Sequence, residues 1–125
     1  MSELRGVIVS HAAVAAGLVE AVGQIAGRQA GLVAVSNDGC TRESLVELVG
    51  EAVGEGPAVV FVDLPGGSCL QAAVQHMRRR PNVAIVAGVN LAMLLDFVYH
   101  RDLSPADAAR RAVEAGGRAL KVVGS

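Results

Sequence analysis

The sequence predicts an α/β fold in which an open, doubly wound, mainly parallel sheet carries helices on both faces. Four short runs of β-branched and other apolar residues lack polar alternation, and a helical pattern follows each of them. The apolar residues are mainly Val, Ala and Leu, with only two Phe, one Tyr and no Trp. Such continuous apolar strands are typically buried on both faces, and the small side chains let helices pack closely over them.

The four predicted strands are bounded by residues that favour turns. The second strand runs into Asn37-Asp38-Gly39, and the third ends at Asp63, before Leu64-Pro65-Gly66-Gly67. Proline and paired glycines cannot continue a central strand, so the chain must leave the sheet at these points. The strands are predicted at residues 4–10, 31–36, 58–62 and 83–87.

Apolar residues recur with a helical period between the strands. Residues 12–28 carry a broad apolar stripe, and Thr41 is a candidate N-cap for a second helix that ends before Gly54. Ser68 is a candidate N-cap for the third helix, and Ser104 precedes Pro105 as the cap of the last one. The third and fourth helices are predicted at residues 69–79 and 91–99.

The order of elements favours one domain spanning residues 1–125. Strand and helix alternate four times, one more helix follows, and no linker, repeat or low-complexity segment interrupts them. With right-handed crossovers the natural spatial order of the strands is 2-1-3-4. Gly116-Gly117 ends or loosens the last helix, and residues 119–123 are a candidate C-terminal antiparallel strand.

Composition and charge argue against several classes of function. The formal net charge is −1, with acidic and basic residues interspersed, so nucleic acid is not an expected partner. Two cysteines are too few for a disulfide framework, and the N-terminal apolar run is too short for a signal peptide or a membrane span. We therefore expect a cytoplasmic protein.

Candidate functional residues follow from the predicted topology. In a sheet of order 2-1-3-4 the winding reverses between the first and third strands, and the loops leaving their carboxyl ends open a crevice for ligands. Asn90, after the fourth strand, shapes its own loop and is a further candidate for this crevice. The first strand places Ser10 and His11 at the crevice, and the third strand places Asp63, Gly66, Gly67 and Ser68 there.

His11 and Asp63 can act together, one as a nucleophile and the other as the group that orients it. A carboxylate that accepts a hydrogen bond from one imidazole nitrogen fixes the tautomer and leaves the other nitrogen as a nucleophile. Gly66 and Gly67 leave main-chain N–H groups unhindered at a helix start, where a phosphate is favoured. Each feature alone also fits an ordinary cap, turn or packed residue. Their convergence supports the hypothesis that His11 carries a phosphoryl group and that Asp63 orients it.

Three blocks of the sequence resemble the IIA component of the mannose-family sugar phosphotransferase system. They are VIVSH at residues 7–11, FVDLPGGS at residues 61–68 and AGVNLAML at residues 87–94, and they follow the family's order over nearly the whole chain. The last two blocks are specific, whereas the first would be weak by itself. The resemblance implies a phosphotransferase without a cofactor.

The resemblance also implies partners and roles. The histidine matching His11 would accept a phosphoryl group from the histidine-containing phosphocarrier protein and pass it to a IIB component, which phosphorylates a sugar entering through a membrane permease. The aspartate matching Asp63 would bond to the imidazole, and Gly67 and Ser68 would lie beside the phosphoryl group. A homodimer is implied, with a C-terminal strand that subunits can exchange, for which residues 119–123 are the candidate.

The chain departs from the family pattern at two places. Leu64-Pro65 stands where a polar or aromatic residue often follows the aspartate, and Cys69 stands where the family has proline. No IIB domain follows within the 125 residues, so we expect transfer to a separate chain, with a purely regulatory role as an alternative.

Two other classes of function compete with a phosphohistidine carrier. A receiver-like regulatory domain would be phosphorylated on Asp63, but it needs an acidic pair after the first strand, where this chain has Ser10-His11. A small anion-binding module would use Gly66-Gly67 without covalent chemistry, and neither nucleotide-binding glycine motif is present.

The remaining ligand-type residues are expected to be structural. Cys69 lacks the arginine that a phosphatase loop would supply, so we expect a packed thiol. A metal site formed by His11, Asp63 and a second histidine lacks short ligand spacing and is not expected. His76 and His100 are expected at solvated surfaces.

Overall fold

The computed structural model describes residues 3–124, and within them the predicted order of elements is confirmed. The strands are β1 (Arg5–Ser10), β2 (Leu32–Ser36), β3 (Ala58–Val62) and β4 (Val83–Ala87). The helices are α1 (Val14–Ala26), α2 (Arg42–Val53), α3 (Ser68–Met77), α4 (Leu91–Val98) and α5 (Pro105–Arg118). Strands β3 and β4 have the predicted limits, and no other boundary differs from its prediction by more than two residues, which is usual at element ends.

The four strands form one parallel sheet in the order β2-β1-β3-β4, which confirms the predicted order. Val9 of β1 pairs with Val35 of β2 and with Val62 of β3. The carboxyl ends of the central strands β1 and β3 therefore lie at the same edge of the sheet, and the chain reverses its winding between them.

Alternate residues of the central strands face two separate layers of helices. Ile8 and Phe61 pack with α1, α4 and α5, whereas Val7, Val9 and Val62 pack with α2 and α3. The rings of Phe61 and Phe97 meet edge to face, with centroids 5.2 Å apart. Since side chains of a strand alternate between its faces, burial on both sides explains why β1 and β3 have no polar alternation.

Two of the three predicted helix caps are confirmed. Thr41 Oγ1 accepts a hydrogen bond from Ser44 N–H, and Ser104 Oγ accepts one from Asp107 N–H. The prediction for Ser68 is wrong, because Gly67, at φ +90°, occupies the cap position and Ser68 is the first residue of α3. A left-handed φ costs glycine little, so the tight loop before α3 places the cap one residue earlier.

The C-terminal segment is exposed in the single chain. Residues 119–124 form neither helix nor strand there, so the candidate strand would have to pair with a second chain, and strand exchange stays a prediction. Within residues 3–124, no helix is both long enough and apolar enough to cross a membrane.

Gly6 provides a test of the packing around β1. A Cβ atom at Gly6 would lie 2.6 Å from Phe97 Cε2 and 2.8 Å from Leu32 Cδ2, and both neighbours are buried. We expect Gly6→Ala to lower the free energy of unfolding by about 1–3 kcal/mol in urea titrations.

The matched control is Gly17→Ala in α1, where nothing lies within 4 Å of the added Cβ atom. There the gain in helix propensity should raise stability by about 0.5–1 kcal/mol. Equal stabilities of the Gly6→Ala variant and the wild type would contradict the close approach of Phe97 in α4 to Gly6 in β1.

Candidate functional site

His11 is the first residue beyond β1, and a tight turn presents its ring to solvent. Ala12, the next residue, has φ +49°, a left-handed conformation that costs a residue with a Cβ atom about 1–2 kcal/mol. This turn directs the chain into α1 and leaves 46% of the His11 side chain exposed. The backbone is therefore strained directly beside the candidate nucleophile, a place where functional sites often hold strain.

His11 and Asp63 are joined by two hydrogen bonds to the same carboxylate oxygen. The main-chain N–H of His11 donates to Asp63 Oδ2 at 2.9 Å, and ring Nδ1 lies 2.8 Å from the same oxygen. With Nδ1–H as the donor, the lone pair of the ring lies on Nε2. The carboxylate therefore fixes both the ring orientation and the tautomer.

The register of the sheet explains why residues 52 positions apart meet. Val9 of β1 pairs with Val62 of β3, and both side chains are fully buried. The next residues are Ser10, which ends β1, and Asp63, the first residue beyond β3, so the two lie side by side and His11 follows one position later. The contact between imidazole and carboxylate thus follows directly from two fully buried strands that are paired in register.

The environment of Asp63 favours its ionised form. Burial by itself raises the pKa of this carboxyl group, but the two hydrogen bonds from His11 and the charge of its imidazolium form more than offset it, and the pKa lies below the ordinary 3.8. Only 14% of the Asp63 side chain is exposed. A largely buried carboxylate is thus held negative beside the ring.

Ser10 has a structural role in this arrangement. Its buried hydroxyl accepts a hydrogen bond of 2.7 Å from Ala15 N–H and donates one of 3.1 Å to His11 C=O. Ala13, at the N-cap position of α1, has no side-chain oxygen that could accept a hydrogen bond from the first turn. The Ser10 hydroxyl accepts that hydrogen bond instead, from outside the helix. Its polar atoms thus hold the His11 turn rather than facing a ligand.

The start of α3 provides main-chain donors beside His11. Gly66, Gly67 and Ser68 are all exposed, and within residues 3–124 no side chain caps this helix. The first N–H groups of a helix have no intrahelical acceptor and carry partial positive charge. An anion bound at the start of α3 could therefore accept hydrogen bonds from these main-chain N–H groups.

Cys69 is a neighbour of His11 that the sequence analysis did not identify. The prediction of a packed thiol is confirmed by its burial, but its Sγ also lies 4.0 Å from His11 Nδ1. Burial and the nearby charge of Asp63 raise the pKa of the thiol, so it is protonated near neutral pH. The sequence could have indicated this contact, because Cys69 lies in the first turn of the helix that begins at the crevice.

Asn90 caps the helix that follows β4 and does not contribute to the His11 site. Its Oδ1 accepts a hydrogen bond from Met93 N–H at 3.0 Å, and its Nδ2 donates to Gly116 C=O at 3.2 Å. Both ends of the amide are therefore engaged in holding α4 against α5. The prediction that Asn90 shapes its loop is confirmed, whereas its amide is directed away from the crevice.

The expected surface position of His76 is wrong. His76 is buried against Gly50 of α2, and burial, together with Arg80 and Arg79, lowers the pKa of its imidazole. His100 is half-buried, and its Nδ1–H donates to Asp96 C=O at 2.8 Å. Neither histidine is hydrogen-bonded to His11 or Asp63, so the site contains one imidazole.

Comparisons with known proteins agree with this fold. The family model described as the PTS (phosphotransferase system) fructose IIA component matches residues 6–114. The structure is similar to phosphotransferase system component EIIA from Streptococcus agalactiae, with a TM-score of 0.88, 19% identity, and coverage of 95% of this chain and 96% of that chain.

A second solved structure has a similar fold. It is the mannose/sorbose specific IIA subunit of the phosphotransferase system from Enterococcus faecalis, with a TM-score of 0.85, 22% identity, and coverage of 99% of this chain and 97% of that chain. At these identities the two likenesses establish the fold alone. A search of curated protein sequences found no significant match.

The contact between His11 and Asp63 is testable by titration. We expect the pKa of Asp63, measured by NMR from its carboxyl carbon, to lie below 3.8 in the wild type and to rise in His11→Ala, because the ring hydrogen bond and charge are removed. The stabilisation from this contact is present above the unfolded-state pKa and is lost as pH falls through the folded-state pKa. An Asp63 pKa that His11→Ala leaves unchanged would contradict the contact.

Proposed function

This chain belongs to the mannose-family IIA components of the sugar phosphotransferase system, and from that membership and the His11–Asp63 contact we propose that His11 carries the phosphoryl group. The observation that carries the proposal is the 2.8 Å separation of His11 Nδ1 from Asp63 Oδ2. It commits Nδ1 to the carboxylate and leaves Nε2, on the partly exposed ring, as the nucleophile.

The proposed transfer needs no cofactor. The Nε2 lone pair of His11 attacks the phosphorus of the phosphorylated histidine-containing carrier protein, the phosphorus–nitrogen bond to the carrier breaks, and its electron pair returns to the carrier's imidazole. The His11 ring, with Nδ1–H retained and Nε2 bonded to phosphorus, carries a positive charge. Asp63 stabilises that charge at hydrogen-bonding distance.

The same roles apply to the second half of the relay. A nucleophile on the IIB component attacks the phosphorus held by His11, and the electron pair of the breaking bond returns to Nε2. The N–H groups at the start of α3, together with the exposed Gly67 and Ser68, would bind the phosphoryl oxygens during both steps. The exposed Leu64 and Pro65 would form part of the surface that meets these partners.

A receiver-like function phosphorylated on Asp63 has less support from the geometry. Asp63 is largely buried, and its Oδ2 already accepts two hydrogen bonds from His11. The acidic pair that would hold magnesium in a receiver is replaced by Ser10 and His11. We therefore do not retain this alternative.

The proposal predicts different defects for two substitutions. His11→Ala should abolish labelling in a mixture of phosphoenolpyruvate, the first enzyme of the relay and the carrier protein, as mapped by mass spectrometry. Asp63→Asn keeps the acceptor but removes the charge that stabilises the phosphorylated ring, so its rate of labelling should fall by more than about tenfold.

His100→Ala is the matched control, because it removes a histidine that has no contact with the site, and it should be labelled at the wild-type rate. The label should survive alkali and be lost in acid, as phosphohistidine is. A label that alkali or hydroxylamine removes, or an Asp63→Asn variant as fast as wild type, would refute the assigned roles.

We also propose that the chain forms a homodimer through its C-terminal segment. Leu120, Val122 and Val123 are 74%, 86% and 90% exposed in the single chain, which is unusual for apolar side chains so close together. Beside the edge strand β4, an apolar groove is lined by Ile85 and Val113 among others. A C-terminal strand from a second copy would cover such an edge.

The dimer proposal is tested by removing residues 121–125, which leaves every described helix and strand intact. The full-length chain should have the mass of a dimer in light scattering coupled to size-exclusion chromatography, and the shortened chain the mass of a monomer with unchanged circular dichroism. A shortened chain that remains dimeric would place the interface elsewhere.

A further inference from the structure

Three metal-ligating side chains from distant parts of the sequence meet at the His11 site. His11, Asp63 and Cys69 each offer one ligand atom, and these atoms all lie within 4.8 Å of one another. We propose that they form a binding site for a zinc-type divalent ion, and that the ion and the phosphoryl group compete for His11. The ion site stands on this geometry, whereas the competition rests on the proposed function.

The donor set and its spacing fit tetrahedral zinc. Bond lengths of about 2.0–2.3 Å place neighbouring ligand atoms of a tetrahedral site about 3.3–3.6 Å apart. His11 Nδ1 lies 4.0 Å from Cys69 Sγ, and a carboxylate oxygen of Asp63 lies within 4.8 Å of both atoms, so the three ligand atoms are slightly wider apart than in a bound site. Side-chain shifts of about an ångström would close this difference. One thiolate, one imidazole and one carboxylate favour zinc over magnesium or calcium.

An unused acceptor on Asp63 supports the same site. Asp63 Oδ1 is buried, and within residues 3–124 it has no hydrogen-bond partner, although a buried carboxylate oxygen is costly to leave unpaired. Oδ1 can bind the ion while Oδ2 keeps its hydrogen bond from the His11 main-chain N–H. The ion would therefore satisfy the oxygen that the protein leaves open.

Coordination and phosphorylation exclude each other for a chemical reason. An ion bound to Nδ1 takes the lone pair of that nitrogen, so the proton of the neutral imidazole lies on Nε2. Nε2 then has no lone pair with which to attack phosphorus. The thiol of Cys69 loses its proton to solvent when the Sγ–metal bond forms, so binding releases a proton.

Cobalt is the probe that identifies the ligand set, because a Co²⁺–thiolate bond gives a charge-transfer absorption band in the near ultraviolet. The wild-type chain should bind one equivalent with this band. The Cys40→Ala variant, in which Cys69 is the sole thiol, should give the same band. Absence of the band from both proteins would overturn the site without requiring a Cys69 variant to fold.

Direct substitution supplies the second arm of the experiment. Cys69→Ala should lose the band and bind Zn²⁺ more than about tenfold more weakly in calorimetry, whereas Cys40→Ala should bind like wild type. Circular dichroism and thermal unfolding establish that the Cys69→Ala variant is folded. Equal affinity of folded Cys69→Ala and wild type for Zn²⁺ would exclude the thiol as a ligand.

Competition is measured by transfer from isolated, already phosphorylated carrier protein. Saturating Zn²⁺ should abolish labelling of His11 in the wild type and in Cys40→Ala, while Cys69→Ala at the same Zn²⁺ concentration should be labelled at the rate measured for that variant without metal. Wild-type labelling that saturating Zn²⁺ leaves unchanged would overturn the competition. If no protein is labelled even without metal, the proposed carrier function fails, while the cobalt measurement still decides the ion site.

Discussion

The hydrogen bonds that join His11 to one carboxylate oxygen of Asp63 are the contact on which the site depends. They connect the turn after β1 to the end of β3, two strands that are neighbours in space and distant in sequence. The main-chain bond fixes where the turn lies, and the ring bond fixes which nitrogen has the lone pair. Without this pair of bonds the imidazole would be a half-exposed side chain on a strained turn.

The fold gives this contact its rigidity. Val9 and Val62 are fully buried and lie in register on adjacent strands, so the polar residues that follow them have little freedom to separate. Ser10 closes the start of α1, and the left-handed turn at Ala12 directs the chain away from the ring. A site that is arranged before its partner arrives loses less conformational freedom when it reacts.

Cys69 makes this site chemically unlike a plain histidine–aspartate pair. It brings a thiol to within 4.0 Å of the ring nitrogen that is hydrogen-bonded to Asp63. The same side chains that leave Nε2 open to a phosphoryl group therefore also supply three ligands to the proposed ion site. Both uses depend on the imidazole's single proton, and that proton can occupy only one nitrogen at a time.

Local patterns in the sequence determined the strands, most helix limits and the caps at Thr41 and Ser104. The order of these elements also determined the order of the strands, and with it the edge of the sheet at which His11 and Asp63 meet. These features depend on periodicity, capping and winding rules that act over short stretches of chain. Tertiary structure alone decided that His76 is buried and that Cys69 lies against the imidazole. Such contacts join residues far apart in sequence, and their distances depend on how helices pack over the sheet, which no local pattern encodes.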